Sequence, residues 1–141
     1  MNKPLNSTRS NHVLHPAHNV GCPYCGGQTE MVTGDRIYPH RRDLYSKHFY
    51  LCDLCNAYVG CHPGTCTPLG TPANGKTRKA RSAAHYMFDD LWRSGRMSRT
   101  KAYAWLQEQM QLPQKTCHIA MFNDAQCARV VQAVSKYLNK E

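Results

Sequence analysis

Apolar residues follow two different periods along the chain, and the change divides it. Between about residues 19 and 60 the period is two. Thr29-Glu30-Met31-Val32-Thr33 alternates as a strand, and Gly34-Asp35 is a turn signal. Arg36-Ile37-Tyr38 reads as a continuation in strand form. Lys47-His48-Phe49-Tyr50-Leu51 and Ala57-Tyr58-Val59-Gly60 are further short strands. About three antiparallel strands are expected here.

Beyond Lys76 the period becomes helical. Ala80, Ala84, Met87, Phe88 and Leu91 fall on one face of a helix that Gly95 would stop. Ser98 is a natural cap for a second helix reaching about Gln109, with Ala102, Trp105 and Leu106 on its apolar face. A third begins at Asn123. Gln126, three residues on, completes a capping-box variant, and Cys127, Val130, Val131, Val134 and Leu138 form the buried stripe. Residues 61–75 are crowded with Pro and Gly and read as loop. Residues 1–18 show neither period and read as a flexible arm.

The expected fold class is therefore α+β. An N-terminal zinc ribbon spans 19–66, and a basic helical unit of about three helices, against which it packs, spans 67–141. Cysteine spacing is what turns the first part into a ribbon. Cys22-Pro-Tyr-Cys25 and Cys52-Asp-Leu-Cys55 are two Cys-x-x-Cys pairs, each able to form a knuckle that supplies two thiolates. Four soft thiolate ligands select Zn²⁺ and close its shell, so the expected cofactor is one structural zinc ion. With so few aliphatic residues, this half needs the metal in place of a core.

Eight cysteines would also suit a disulfide scaffold. The first residues, Met1 to Ser10, lack the apolar stretch of a signal peptide, and no run is long enough to span a membrane. A reducing, cytoplasmic setting is expected, which favours metal over disulfides. Cys61, His62, His85 and His118 are candidates for a second metal site, whose open shell would suit hydrolysis. Their spacing matches no metal motif, and Cys127 reads as core. No catalytic set stands out: there is no P-loop, no His-Glu-x-x-His and no paired carboxylates.

Charge is uneven. Of the formal +9, residues 67–141 carry +7, with 12 Lys/Arg against 5 Asp/Glu. A basic half suggests a polyanionic partner, DNA or RNA. Arg41 and Arg42 in the ribbon, with Arg78, Lys79 and Arg81 at the start of the first helix, are candidate phosphate contacts, and Tyr38 and Tyr45 are candidate stacking rings. A protein-interaction adaptor docking on a host enzyme is the alternative.

Several segments together resemble a family of small zinc-finger-containing proteins of bacteria, prophages and phages. They are Cys22-Pro-Tyr-Cys25-Gly26-Gly27, Ile37-Tyr38-Pro39-His40-Arg41, Ala57 to Thr65, Pro68-Leu69-Gly70-Thr71 and Cys117-His118-Ile119-Ala120-Met121-Phe122. The resemblance covers about residues 20–135. It implies zinc binding by Cys22, Cys25, Cys52 and Cys55 and assigns no activity. Asn56 stands where such a knuckle usually has glycine. Asn tolerates the left-handed backbone, so the knuckle is expected to survive.

Overall fold

A computed structural model describes residues 19–140; the arm read from residues 1–18 lies outside them. Two compact units meet at a boundary between Asn74 and Gly75.

The first unit is built on a three-stranded antiparallel sheet in the order β1-β2-β3, with β1 Glu30–Thr33, β2 His48–Cys52 and β3 Ala57–Gly60. Met31 pairs with Tyr50, and Tyr50 with Val59, along one register row. Central β2 is buried on both faces, which accounts for its unbroken run Phe49-Tyr50-Leu51. Alternate residues serve opposite sides. Phe49 and Leu51 join Val32, Ile37, Tyr38 and Tyr58, whereas Tyr50 joins Val20, Met31, Val59 and Cys61.

The segment after β1 departs from expectation. Gly34–Ile37 is a single helical turn, α1, and not a strand. Tyr38 N–H closes it on Gly34 O at 2.7 Å. The backbone of Leu44 comes so close to Gly34 that a Cβ there would lie 1.7 Å from the Leu44 carbonyl oxygen. Only glycine permits this approach.

Residues 61–74 also differ from a plain loop. Pro and Gly do exclude a long strand, yet isolated antiparallel bridges join Cys61 to Pro68 and Tyr58 to Ala73. Tyr58 and Ala73 exchange N–H···O bonds of 3.1 and 3.0 Å, and Leu69 N–H donates to Gly60 O at 2.9 Å. The segment covers the outer edge of β3, which would otherwise expose unpaired backbone groups. The first compact unit runs to Asn74.

The second unit contains α2 Gly75–Arg93, α3 Arg99–Met110 and α4 Asp124–Asn139. Their stops and starts follow the local signals. Gly95 adopts φ +85°, and the Ser98 hydroxyl accepts from Lys101 N–H at 3.1 Å. Asn123 and Gln126 form a complete capping box, with bonds of 2.8 and 2.9 Å. Ala84, Phe88 and Leu91 of α2 meet Ala102, Leu106 and Met110 of α3, and Cys127, Val130 and Val134 of α4. Cys117, Ile119 and Phe122 complete that core from the α3–α4 connection.

Candidate metal centre

Both knuckles lie where strands turn. The first is closed by Cys22 N–H to Gly27 O at 2.8 Å and Gly26 N–H to Cys22 O at 2.9 Å. The second is the β2–β3 hairpin itself, since β2 ends on Cys52 and β3 begins on Ala57. Each knuckle needs a left-handed residue immediately after its second cysteine. Gly26 has φ +77° and Asn56 has φ +51°. Asn56 thus does what glycine does in the first knuckle, through its tolerance of this region. Replacing Asn56 with Gly should leave zinc affinity within about threefold, because Gly meets no penalty there. Replacing it with Val should weaken zinc binding roughly tenfold or more, since the left-handed backbone costs a β-branched residue about 1–2 kcal/mol. A competition titration against a chromophoric chelator reads both.

The four sulfurs converge. The ligand atoms of Cys22, Cys25, Cys52 and Cys55 all lie within 4.8 Å of one another, and Cys25 Sγ stands 3.7 Å from Cys52 Sγ. A tetrahedral shell with Zn–S of about 2.3 Å has sulfur–sulfur edges of about 3.8 Å. A disulfide would need about 2.05 Å, and all four thiols are free. Backbone N–H groups point at the sulfurs, Tyr24 to Cys22 and Gly27 to Cys25, both at 3.4 Å. Such donors stabilise thiolate and orient the ligand.

The thiols strongly influence one another. Burial pushes Cys22 up, but the Cys25 and Tyr24 N–H groups and the Cys52 thiol outweigh it and bring Cys22 down to about 7. Burial, reinforced by Cys22, Cys25 and Cys52, pushes Cys55 up to about 12. Four thiolates this close repel, so the full set exists only around a cation. The site is a closed Cys₄ shell suited to one structural zinc ion. Such a shell leaves no ligand position for water, as suits a metal that holds the fold.

Residues 18–137 match a family described as a zinc-finger-containing domain. The chain belongs to that family. No curated protein and no solved structure matches the chain. In this zinc-finger-containing domain, the ligand set is tied to the rest of its own unit. Asn74 N–H donates to the Tyr24 hydroxyl at 3.1 Å, and Arg36 pairs with Asp53 at 3.4 Å. The Tyr24 tether escaped the sequence reading because nothing local marks residues 24 and 74 as neighbours.

The second proposed ligand group draws on both units. Among the described residues the four knuckle cysteines are the cluster of three or more ligand-bearing side chains. Cys61 and His62 belong to the first unit, and His85 and His118 to the second. Cys61 is instead half-buried against Val20, Tyr50 and Val59, and burial first, then Cys66, raises its pKa. Cys117 and Cys127 are core residues whose thiols are pushed up by burial.

Most of the residues marked as nucleic-acid contacts have partners within the protein. Tyr38 stacks edge-on with Phe49 and Tyr58, and its hydroxyl lies 3.0 Å from that of Tyr58. The Tyr45 hydroxyl donates to Pro39 O at 2.6 Å, although the ring remains exposed. Arg41 grips Asp43 with two bonds of 2.9 and 2.7 Å. Arg81 Nε donates to Phe122 O at 2.8 Å and so pins the α3–α4 connection to α2. Arg78 is half-buried, and Arg42 and Lys79 stand exposed.

Proposed function

We propose that this zinc-finger-containing domain binds nucleic acid, with zinc holding the ribbon and the helical unit providing most of the positive charge. The observation behind this reading is the charge of the second unit. Its 12 Lys/Arg outnumber 5 Asp/Glu, and Lys79, Arg93, Arg96, Arg99, Lys101 and Lys115 are all exposed. Cations also lie over aromatic rings. Arg93 and Arg99 sit 5.4 and 5.3 Å from the Trp92 centroid. Guanidinium and ring together make a surface suited to phosphate and base. Eight free thiols support a reducing, cytoplasmic setting as part of this reading, and the resemblance to phage and prophage proteins supports a bacterial host. No helix among the described residues is long and apolar enough to cross a membrane.

A gel-shift or anisotropy series in salt tests the reading. Neutralising about four phosphates of a single strand predicts a roughly fiftyfold loss of affinity between about 50 and 200 mM salt. Binding that ignores salt, or no binding at low salt, would favour docking on a host protein instead.

A further inference from the structure

Within the helical unit, a groove of about 590 Å³ runs between α3 and the segment leading to Phe122. Arg99, Tyr103, Gln107, Gln114, Cys117 and His118 line it, along with Thr100 and Ala104. No carboxylate is among these residues. Arg99, Gln114 and His118 are exposed, Tyr103 and Gln107 are half-buried, and Cys117 is buried. The Tyr103 ring is fixed edge-on to Phe88 at 4.9 Å, and Arg99 lies 5.4 Å over its centroid. Arg99 also lies over Trp92, so its guanidinium plane is held rather than free.

This arrangement has the parts that one nucleotide needs. The volume lies in the range of ligand clefts. A planar cation above a rigid ring offers a stacking platform and a phosphate contact at once. Two carboxamides each present donor and acceptor, which matches the edge of an unpaired base. A duplex hides the Watson–Crick edge, and a cleft of this size suits one splayed-out nucleotide, which favours a single strand as the occupant. We infer that this groove holds one nucleotide of single-stranded nucleic acid, with Arg99 and His118 at its phosphate and Gln107 and Gln114 at its base edge. The inference rests on the nucleic-acid reading above and specifies where in the helical unit contact occurs.

The test uses the zinc-loaded full chain and a short fluorescent oligothymidylate in an anisotropy titration. Arg99→Gln combined with His118→Ala should weaken binding roughly tenfold or more and flatten the salt slope by about one to two phosphate contacts. Lys136→Gln, an exposed cation on α4, should cost less than about threefold. Gln114→Ala, also exposed, should alter the preference among homopolymeric strands while leaving helical circular dichroism intact. Amide shifts on adding nucleoside monophosphates should fall on Tyr103, Gln107 and Gln114, with inorganic phosphate moving only the Arg99 and His118 neighbourhood. Tight binding by the wild type that the groove variants and Lys136→Gln weaken equally would overturn the groove and leave the general reading standing. Absence of binding by the wild type at low salt would remove both.

Discussion

Stripping zinc from the intact chain is expected to unfold the first unit while the helices persist. Three small clusters make up that unit's interior: Val20, Tyr50 and Val59 form one, and Val32, Phe49 and Leu51 another. The third consists of Cys22, Cys52 and Ala57, with Cys55 against it, so it is the metal site itself. Interiors of this size leave a sheet of three short strands marginal in water. A structural zinc ion contributes on the order of 10–16 kcal/mol of apparent binding energy, all of it linked to folding. Losing it exceeds anything the two apolar clusters supply. Chelation should therefore collapse the dispersed amide signals of residues 19–74, and Cys52→Ser should do the same without chelator. Helical circular dichroism should survive, because none of the core residues of α2, α3 and α4 belongs to those clusters. A ribbon that kept its strand signals at vanishing free zinc would refute the structural role.

The helical unit is expected to fail by another route. Phe88 is 0% exposed and lies among Leu91, Leu106, Phe122, Val130 and Val134. Phe88→Ala removes a ring that also meets Tyr103 edge-on at 4.9 Å. Such a cavity costs about 3–5 kcal/mol. In a unit of this size that lowers the melting temperature by on the order of 20 °C. Much of a small domain's total stability would be lost. Thermal denaturation followed at 222 nm reads the change, and zinc affinity of the ribbon should stay within about twofold. Equal loss of zinc binding and helix would mean that the units fold as one.

The two failures differ because the two units bury different things. In the ribbon, both faces of β2 carry small clusters, and the chain ends of the sheet are tied by sulfur. In the helical unit one contiguous apolar core does the work. That contrast was readable from the start in part. Four cysteines at two short spacings specify a ligand set wherever the intervening chain can turn back. The apolar stripes at 84, 88 and 91 and at 127, 130 and 134 face inward by helical geometry alone. The cap at Ser98 and the box at Asn123 involve residues three apart, so they too are local.

Other elements could not be read this way. Arg36-Ile37-Tyr38 has the composition of a strand, yet Gly34–Ile37 forms a helical turn, with the Leu44 backbone close against Gly34. Residues 61–74 carry breakers at every turn, yet β3 recruits them because its edge is open. Arg81 and Tyr38 look like surface chemistry until their distant partners Phe122 and Tyr58 are seen.

The amino-acid sequence alone settled the periods, the helix caps, the knuckle turns and the Cys₄ ligand set, because each depends on residues a few positions apart. Tertiary structure alone decided which cations and rings are already engaged, that four knuckle sulfurs converge, and that α3 shares a polar groove with the segment after it. Those outcomes depend on which distant groups meet, and competition among long-range contacts, which no local spacing encodes, chooses between them.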